Sequence, residues 1–222
     1  GVIAASRNLG IKSAKGVWIA FLDSDDFWDR GKLEQCLKNT DPDFIYHRMR
    51  CYRIAHNNSI TTRGELSCRD VTNKPYSELF DNGPSPQTSS VVIRKSCLEK
   101  VGGFDENKEL IGGEDFDLWL RLAKNGDKFF FIDLKLGCYL TNGTHTTSPE
   151  KGLKIIAELC RKYCDGSFSK CPDWMHKTNI ASYLKLRQFC NLVTYASKLL
   201  FKLPLTRVMN ILTLLIRAKL GA

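Results

Sequence analysis

The stretch Val17–Trp28, with the sequence VWIAFLDSDDFW, places six consecutive apolar residues directly before the carboxylates of Asp23, Asp25 and Asp26. A short unbroken apolar run predicts a strand buried on both faces, as in a mainly parallel sheet covered by helices. Ligands of open α/β sheets bind at the carboxyl ends of the strands. The three carboxylates therefore predict either a cation site or a turn at that edge.

The composition is that of a globular protein with a basic C-terminal segment. The chain has 222 residues, of which 43% are hydrophobic and 26% are charged, so it can bury a core and is not a disordered chain. Its formal net charge is +9, but eight Lys or Arg residues and no acidic residue follow Trp174. Because the rest of the chain is close to neutral and no nucleic-acid-binding module is recognisable, we expect no nucleic-acid partner.

Nine cysteines are spread along the chain without a CxxC pair. This usage predicts reduced thiols in a cytosolic protein. Cys160, Cys164, Cys171 and His176 are an alternative zinc set, but their spacings match no common zinc motif. No apolar run reaches the roughly 20 residues of a membrane-spanning helix. We therefore expect a cytoplasmic protein.

Local patterns predict alternating helices and strands around the acidic stretch. A short helix ends before Gly16 and leads into the apolar run. Since a helix that precedes a parallel strand implies an earlier strand, we expect the N-terminal part of this domain to be missing. Residues 57–73 are polar and predict a loop. Further strands are predicted at residues 44–52, 89–93, 129–132 and 137–141.

A second acidic group, EDFD at residues 114–117, follows a glycine-rich segment at 109–113 and opens an amphipathic helix that runs through Lys124. Each acidic group alone has a structural explanation, since Asp caps helices and carboxylates are favoured at helix N-termini. The two groups together are typical of a site with a bound cation and a separate carboxylate base.

Several ordered blocks of the sequence resemble glycosyltransferase family 2. ASRNLG (residues 5–10) and AKGVWIAFLDSDD (14–26) are similar to the nucleotide-sugar half of that domain. Its acceptor half is similar to SSVVIR (89–94), VGGFDE (101–106) and GEDFDLWLRL (113–122). The resemblance covers roughly residues 5–148. It implies inverting sugar transfer and a GT-A fold, which is α/β and Rossmann-like, with a mainly parallel sheet flanked by helices.

The resemblance assigns the first acidic group to the donor and a metal. Asp25 would bind Mg²⁺ or Mn²⁺, and Asp23 would contact the ribose of the nucleotide sugar or the metal shell. Arg7 and Asn8 match positions that line the donor pocket, and an Arg there also suits a diphosphate. Asp26 would either assist or cap the next helix, and capping is favoured.

The resemblance assigns the catalytic roles to the second acidic group. Asp115 matches the family's general base, which takes the proton of the acceptor hydroxyl, and the helix dipole should keep its carboxylate ionised. Glu114 is its neighbour in the catalytic site. A histidine near the end of the family's domain can complete the metal shell, and His145 is the candidate here. Trp119 falls on the apolar side of the helix, which favours a core position over a sugar platform.

Together these features predict an inverting, metal-dependent glycosyltransferase. It would move one sugar from a nucleotide-sugar donor to a hydroxyl of a glycan or lipid-linked acceptor, in surface polysaccharide or lipopolysaccharide synthesis. Single transfer is favoured because no QxxRW motif, which marks the processive synthases of the family, follows the Glu-Asp pair. Two alternatives stay open: a glycosyltransferase-like binding module without turnover, and a sugar nucleotidyltransferase.

The basic tail is predicted to be a separate helical part of the chain. We expect a catalytic domain at residues 1–150 and a basic helical extension at 151–222. Residues 205–220 place polar and basic side chains near one side of a helix and aliphatic side chains on the other. This pattern predicts either packing against the catalytic domain or peripheral attachment to anionic lipid at the cytoplasmic face of a membrane.

Overall fold

The structure is a computed structural model that describes residues 3–54, 60–141 and 148–220. The chain divides into two compact units. The sheet unit comprises Gly1–Leu79, Pro84–Glu106 and Glu114–His145. The helical unit comprises Phe80–Gly83, Asn107–Gly113 and Thr146–Ala222.

Within the described residues, one sheet forms the centre of the sheet unit. Its strands are β1 (Trp18–Ala20), β2 (Phe27–Trp28), β3 (Phe44–Ile54), β4 (Ile60–Glu65), β5 (Val91–Arg94) and β6 (Phe129–Thr141). They lie in the order β1-β5-β3-β6-β2, and β4 pairs with β3 off this path. β3 and β6 are parallel. The other pairs are antiparallel, so the sheet is mixed.

Helices are interspersed with these strands along the chain. They are α1 (Ile3–Ser13), α2 (Lys32–Leu37), α3 (Pro75–Asn82), α4 (Lys95–Lys100) and α5 (Glu114–Asn125). This order confirms the predicted α/β class. The amphipathic helix α5 begins at the residue where the sequence places it and ends before Gly126, whose φ of 88° suits a glycine after a helix.

The apolar run that precedes the acidic residues is less buried than the sequence predicts. β1 covers three residues and, within the described part of the chain, pairs only with β5. Ile19 and Phe21 are buried, whereas Val17 and Leu22 are 67% and 46% exposed. The prediction of burial on both faces is wrong because β1 covers only Trp18–Ala20, and Val17 and Leu22 lie beyond its two ends.

Two further predictions are wrong because polar segments of the chain pair with β3 in the sheet. The polar segment predicted as a loop contains β4, which forms an antiparallel ladder with β3. The two strands predicted at 129–132 and 137–141 are one strand, β6, of 13 residues. Register shifts in its ladder with β3 absorb the polar residues between them, so the strand continues where the sequence suggests a turn.

The core of the sheet unit fixes the start of α5 relative to the sheet. Phe44 on β3 is fully buried, and its ring stacks on Phe129 with a centroid distance of 4.2 Å. The same ring meets Trp119 of α5 edge-on at 4.9 Å. Trp119 is fully buried and donates from Nε1 to the carbonyl of Pro86 (3.2 Å), so it belongs to the core and not to a sugar platform. Aromatic side chains of this size supply a large share of core stability.

The helical unit contains α6 (Pro149–Tyr163), α7 (Asp173–Lys185), α8 (Phe189–Lys202) and α9 (Leu205–Leu220). The sequence-predicted domain boundary at residue 150 falls in the first turn of α6. A small apolar core joins α7, α8 and α9 through Ile180, Leu199, Leu203, Val208 and Ile211. Across the described ranges, none of the helices combines the length and the hydropathy that a bilayer span requires.

Candidate active site

The acidic turn, Asp23–Asp26, follows β1 and is fixed by backbone hydrogen bonds. The amide of Asp26 donates to the carbonyl of Asp23 (3.0 Å) and closes the turn. The amide of Asp23 donates to Ser89 Oγ (3.0 Å), and the amide of Leu140 donates to Asp26 Oδ1 (3.1 Å). The turn is therefore held between the residues before β5 and the end of β6.

Asp26 does not cap the following helix, so that prediction is wrong. α2 begins at Lys32, and Gly31 occupies its N-cap position. The Asp26 carboxylate is instead engaged with the backbone of β6. Burial raises the pKa of Asp26 to about 6, and the other two carboxylates of the turn add to the effect. Asp26 thus belongs to the acidic turn itself.

Arg7 on α1 connects the two acidic groups. Its Nη2 donates to Asp23 Oδ1 (2.6 Å) and its Nη1 donates to Glu114 Oε1 (2.9 Å). The side chains of Arg7 and Glu114 are 13% and 7% exposed. The guanidinium also lies 5.3 Å from the centroid of the Phe104 ring. Burial lowers the pKa of Arg7, but Asp23 and then Glu114 raise it by more, so the pKa of the guanidinium lies above its usual value and Arg7 stays charged.

Asp115 lies in the first turn of α5 and is partly exposed. Thr88 Oγ1 donates to its Oδ2 (3.0 Å), and the amide of Phe116 donates to its Oδ1 (2.7 Å). Burial and then the charge of Glu114 raise the pKa of Asp115 to about 6, although Phe116, Thr88 and Arg7 oppose this. The carboxylate is ionised at neutral pH and is a stronger base than an ordinary Asp.

Asn8 holds the loop that follows α4. Its Oδ1 accepts from the amide of Phe104 (2.8 Å), and its Nδ2 donates to the carbonyl of Phe104 (2.9 Å) and to Glu106 Oε1 (2.8 Å). A Cβ at Gly103 would lie 2.5 Å from Asn8 Oδ1, and Gly103 has a φ of 71°, so glycine is required there. These contacts already use the side-chain amide of Asn8. Its donor-binding role stays a prediction.

Asp25 is the exposed carboxylate of the acidic turn. It forms no ion pair with any of the described residues. Tyr139 on β6 lies near the turn, since burial and then the charges of the three Asp carboxylates raise its pKa. An exposed carboxylate next to Asp23 suits Mg²⁺ or Mn²⁺, which prefer oxygen ligands and are commonly held by one or two carboxylates together with substrate phosphates. His145, the further candidate ligand, lies outside the described residues.

The site combines residues that the sequence singled out with others that it did not. Arg7, Asp23, Glu114 and Asp115 come together, as the two acidic groups suggested. Thr88 and Ser89, which hold Asp115 and Asp23, were not identified as site residues. Their signal in the sequence is the polar run directly before the apolar strand β5. Because β5 is antiparallel to β1, the start of β5 lies beside the carboxyl end of β1, where the acidic turn begins.

Comparison with known proteins identifies the family of this chain. The family model described as glycosyltransferase like family 2 matches residues 2–165. The chain therefore belongs to the glycosyltransferase family 2-like proteins. The GT-A fold implied by the resemblance is confirmed.

Curated relatives agree with this assignment. An uncharacterized glycosyltransferase of Haemophilus influenzae is 27% identical over 169 residues, which cover 70% of this chain and 54% of the relative. The Escherichia coli UDP-Glc:alpha-D-GlcNAc-diphosphoundecaprenol beta-1,3-glucosyltransferase WfgD is 34% identical over 129 residues, covering 56% of this chain and 45% of the relative. The amylovoran biosynthesis glycosyltransferase AmsB of Erwinia amylovora is 32% identical over 143 residues, covering 61% and 46%. The chain thus spans about half the length of these relatives.

The bridge formed by Arg7 should be important for stability. In Arg7→Met the buried Glu114 loses the guanidinium that neutralises it, so we expect the free energy of unfolding to fall by roughly 2–4 kcal/mol. Urea denaturation at pH 7 measures this change. Lys128→Met is the control, since its pair with Asp41 is 65% and 78% exposed and should contribute less than about 1 kcal/mol. Equal losses in the two variants would contradict a special role for the bridge.

Proposed function

We propose that the protein is an inverting glycosyltransferase that moves one sugar from a nucleotide-sugar donor to a hydroxyl of a glycan or lipid-linked acceptor. The observation that carries this proposal is the Arg7 bridge. It ties the acidic turn, with its exposed Asp25, to the helix start that bears the partly exposed base Asp115. A donor-binding carboxylate and a proton acceptor are thereby available in one site.

The acidic turn is proposed to bind the donor diphosphate through a divalent cation. A bound Mg²⁺ or Mn²⁺ would neutralise the negative charge that develops on the nucleoside diphosphate as it leaves. Asp25 is the ligand of choice because it is exposed, whereas Asp23 is already paired with Arg7. Asp23 is proposed to contact the donor while the guanidinium of Arg7 keeps its carboxylate in place. Arg7 would therefore act on the donor mainly by positioning Asp23.

Asp115 is proposed to be the general base. Its carboxylate takes the proton of the acceptor hydroxyl while the hydroxyl oxygen forms a bond to the anomeric carbon. The bond from that carbon to the diphosphate oxygen breaks, and the electron pair leaves with the diphosphate. Thr88 and the amide of Phe116 hold the carboxylate in one orientation. Glu114, paired with Arg7, contributes negative charge that makes Asp115 more basic.

The names of two relatives support the proposed acceptor class. WfgD is named for an acceptor carried on diphosphoundecaprenol, and AmsB for the biosynthesis of amylovoran. The first name supports a lipid-linked sugar as the acceptor, and the second supports a role in polysaccharide biosynthesis. A reducing compartment suits the nine free thiols of the chain, so we propose that the protein works on the cytoplasmic side.

Asp25→Asn tests the donor half of the site. We expect nucleotide-sugar binding to require Mg²⁺ or Mn²⁺ and to be lost in this variant, because an amide is a poorer ligand for a hard cation than a carboxylate. Calorimetry with a panel of nucleotide sugars, with and without chelator, measures both effects. Asp41→Asn changes an exposed carboxylate elsewhere and should bind normally. Equal donor affinity with and without chelator would contradict the proposal.

Asp115→Asn tests the base and separates an enzyme from a binding module. Turnover should fall about 10²-fold or more while donor affinity stays unchanged. For the unaltered protein, kcat/KM should decline as the pH drops below about 6, because protonation removes the base form of Asp115. Sugar transfer at the wild-type rate would exclude Asp115 from the mechanism. Joint loss of transfer and donor binding would assign it a structural role instead.

We also propose that the helical unit attaches to an anionic membrane surface. Large apolar side chains on α8 and α9 are exposed, including Phe201 (90%), Leu205 (70%), Leu200 (64%) and Val193 (64%). Lys198 and Lys202 are exposed on α8 as well. Exposed apolar side chains next to basic ones are typical of helices that lie on anionic lipid. Leu199, Val208 and Ile211 are instead buried in the small apolar core that joins α7, α8 and α9.

Vesicle co-sedimentation tests the attachment. The protein should bind phosphatidylserine-containing vesicles at low salt, and less to phosphatidylcholine vesicles or at high salt. Phe201→Ser combined with Lys202→Glu should abolish binding without unfolding the protein, since both side chains are exposed. Ile60→Ser, which changes an exposed apolar residue of the sheet unit, should bind normally. Unchanged sedimentation of the double variant would exclude this surface.

A further inference from the structure

Three cysteines of the helical unit converge where α6 ends. Cys160 and Cys164 lie one helical turn apart at the C-terminus of α6, and Cys171 precedes α7. All three Sγ atoms lie within 4.8 Å of one another. Cys160 Sγ and Cys171 Sγ are 2.9 Å apart. The loop from 165 to 170 thus brings together thiols whose spacing in the sequence matches no common metal motif.

The loop that brings the thiols together is held by its backbone. Asp165 and Gly166 have φ values of 53° and 69°, which turn the chain back at the end of the helix. The amide of Gly166 then donates to the carbonyl of Cys160 (3.1 Å), and the amide of Ser167 donates to that of Cys164 (2.8 Å). The thiols are therefore positioned by backbone hydrogen bonds as well as by packing.

Arg207 on α9 fixes the other end of the same loop. Its Nη1 donates to the carbonyl of Ser169 (2.9 Å), and its Nη2 donates to the carbonyl of Cys171 (2.8 Å). The guanidinium also pairs with Asp173 at the start of α7 (2.5 Å). The loop that carries Cys171 is thus held at both of its ends by hydrogen bonds within the protein.

We propose that Cys160, Cys164 and Cys171 form a binding site for a thiophilic divalent cation, with Zn²⁺ as the favoured ion. Tetrahedral Zn–S bonds of about 2.3 Å place neighbouring sulfurs about 3.8 Å apart, within the spread of these three atoms. The separation of 2.9 Å between Cys160 and Cys171 exceeds a disulfide bond of about 2.05 Å. Thiolates select such ions over Mg²⁺, so this site is chemically distinct from the acidic turn.

The fourth coordination position is assigned to a ligand from solvent. Cys164 and Cys171 are buried, while Cys160 is partly exposed, so water reaches the cluster from the Cys160 side. His176 was grouped with these cysteines on sequence grounds. Among the described residues it is not part of the converging set, and its Nδ1 lies 2.8 Å from the hydroxyl of Tyr195. A bound ion would join the end of α6 to the start of α7 and stabilise the helical unit.

Cobalt substitution tests the site in the reduced, metal-stripped protein. One equivalent of Co²⁺ should produce the thiolate-to-cobalt charge-transfer absorption of a tetrahedral site, and Zn²⁺ should displace it and raise Tm. Cys160→Ser and Cys171→Ser should lose the absorption. Cys190→Ser, which alters the exposed cysteine of α8, should keep it. Circular dichroism verifies that each variant is folded.

A second measurement keeps the test decisive if a serine variant fails to fold. Zn²⁺ should protect these three thiols of the unaltered protein from iodoacetamide, as mapped by peptide mass spectrometry, and leave Cys190 reactive. Absence of the charge-transfer band in fully reduced protein would overturn the proposal. So would equal bands in the Cys160→Ser and Cys171→Ser variants, or a Cys160–Cys171 disulfide whose reduction restores no cobalt binding.

Discussion

One guanidinium between two carboxylates holds the candidate active site together. Arg7 lies 16 residues from Asp23 and 107 residues from Glu114 along the chain, and it bonds to both. These two carboxylates belong to different acidic groups, since Asp23 lies in the acidic turn and Glu114 begins α5 next to Asp115. Without Arg7 their mutual repulsion would separate α5 from the acidic turn. With it, the two groups stay together, and the charge of Glu114 adds to burial in raising the pKa of Asp115.

The parts of this arrangement that depend on local pattern were predictable from the sequence. The amphipathic period of α5 and the glycine after it determine where the helix begins and ends, because both signals lie within the helix or next to it. The two acidic groups are predicted to form one site because one follows the apolar run and the other follows a glycine-rich segment, which is typical of a cation site with a separate carboxylate base. The family blocks then supplied roles that no spacing alone could assign, such as that of Asp115.

The parts that depend on distant partners were not predictable. The apolar run at 17–22 is typical of a fully buried strand by composition, yet the strand covers only residues 18–20, and Val17 and Leu22 beyond its ends are exposed. The polar residues of β4 join the sheet because β3 offers backbone partners, and backbone hydrogen bonding is indifferent to side-chain polarity. The Arg7 bridge and the convergence of three thiols arise from tertiary packing, for which a single sequence carries no period and no spacing rule.

The contacts that make the site join sequence positions far apart, and this has a consequence for the order of folding. Asp23 meets Ser89 across 66 residues, Asn8 meets Phe104 across 96, and Asp26 meets Leu140 across 114. Closing such long loops costs entropy that only the assembled core can offset, so contacts of this kind are expected late in folding. During synthesis, α1 and the acidic turn must wait until β6 has left the ribosome. The acidic turn is made before β6, and its geometry is complete only after that strand has joined the sheet.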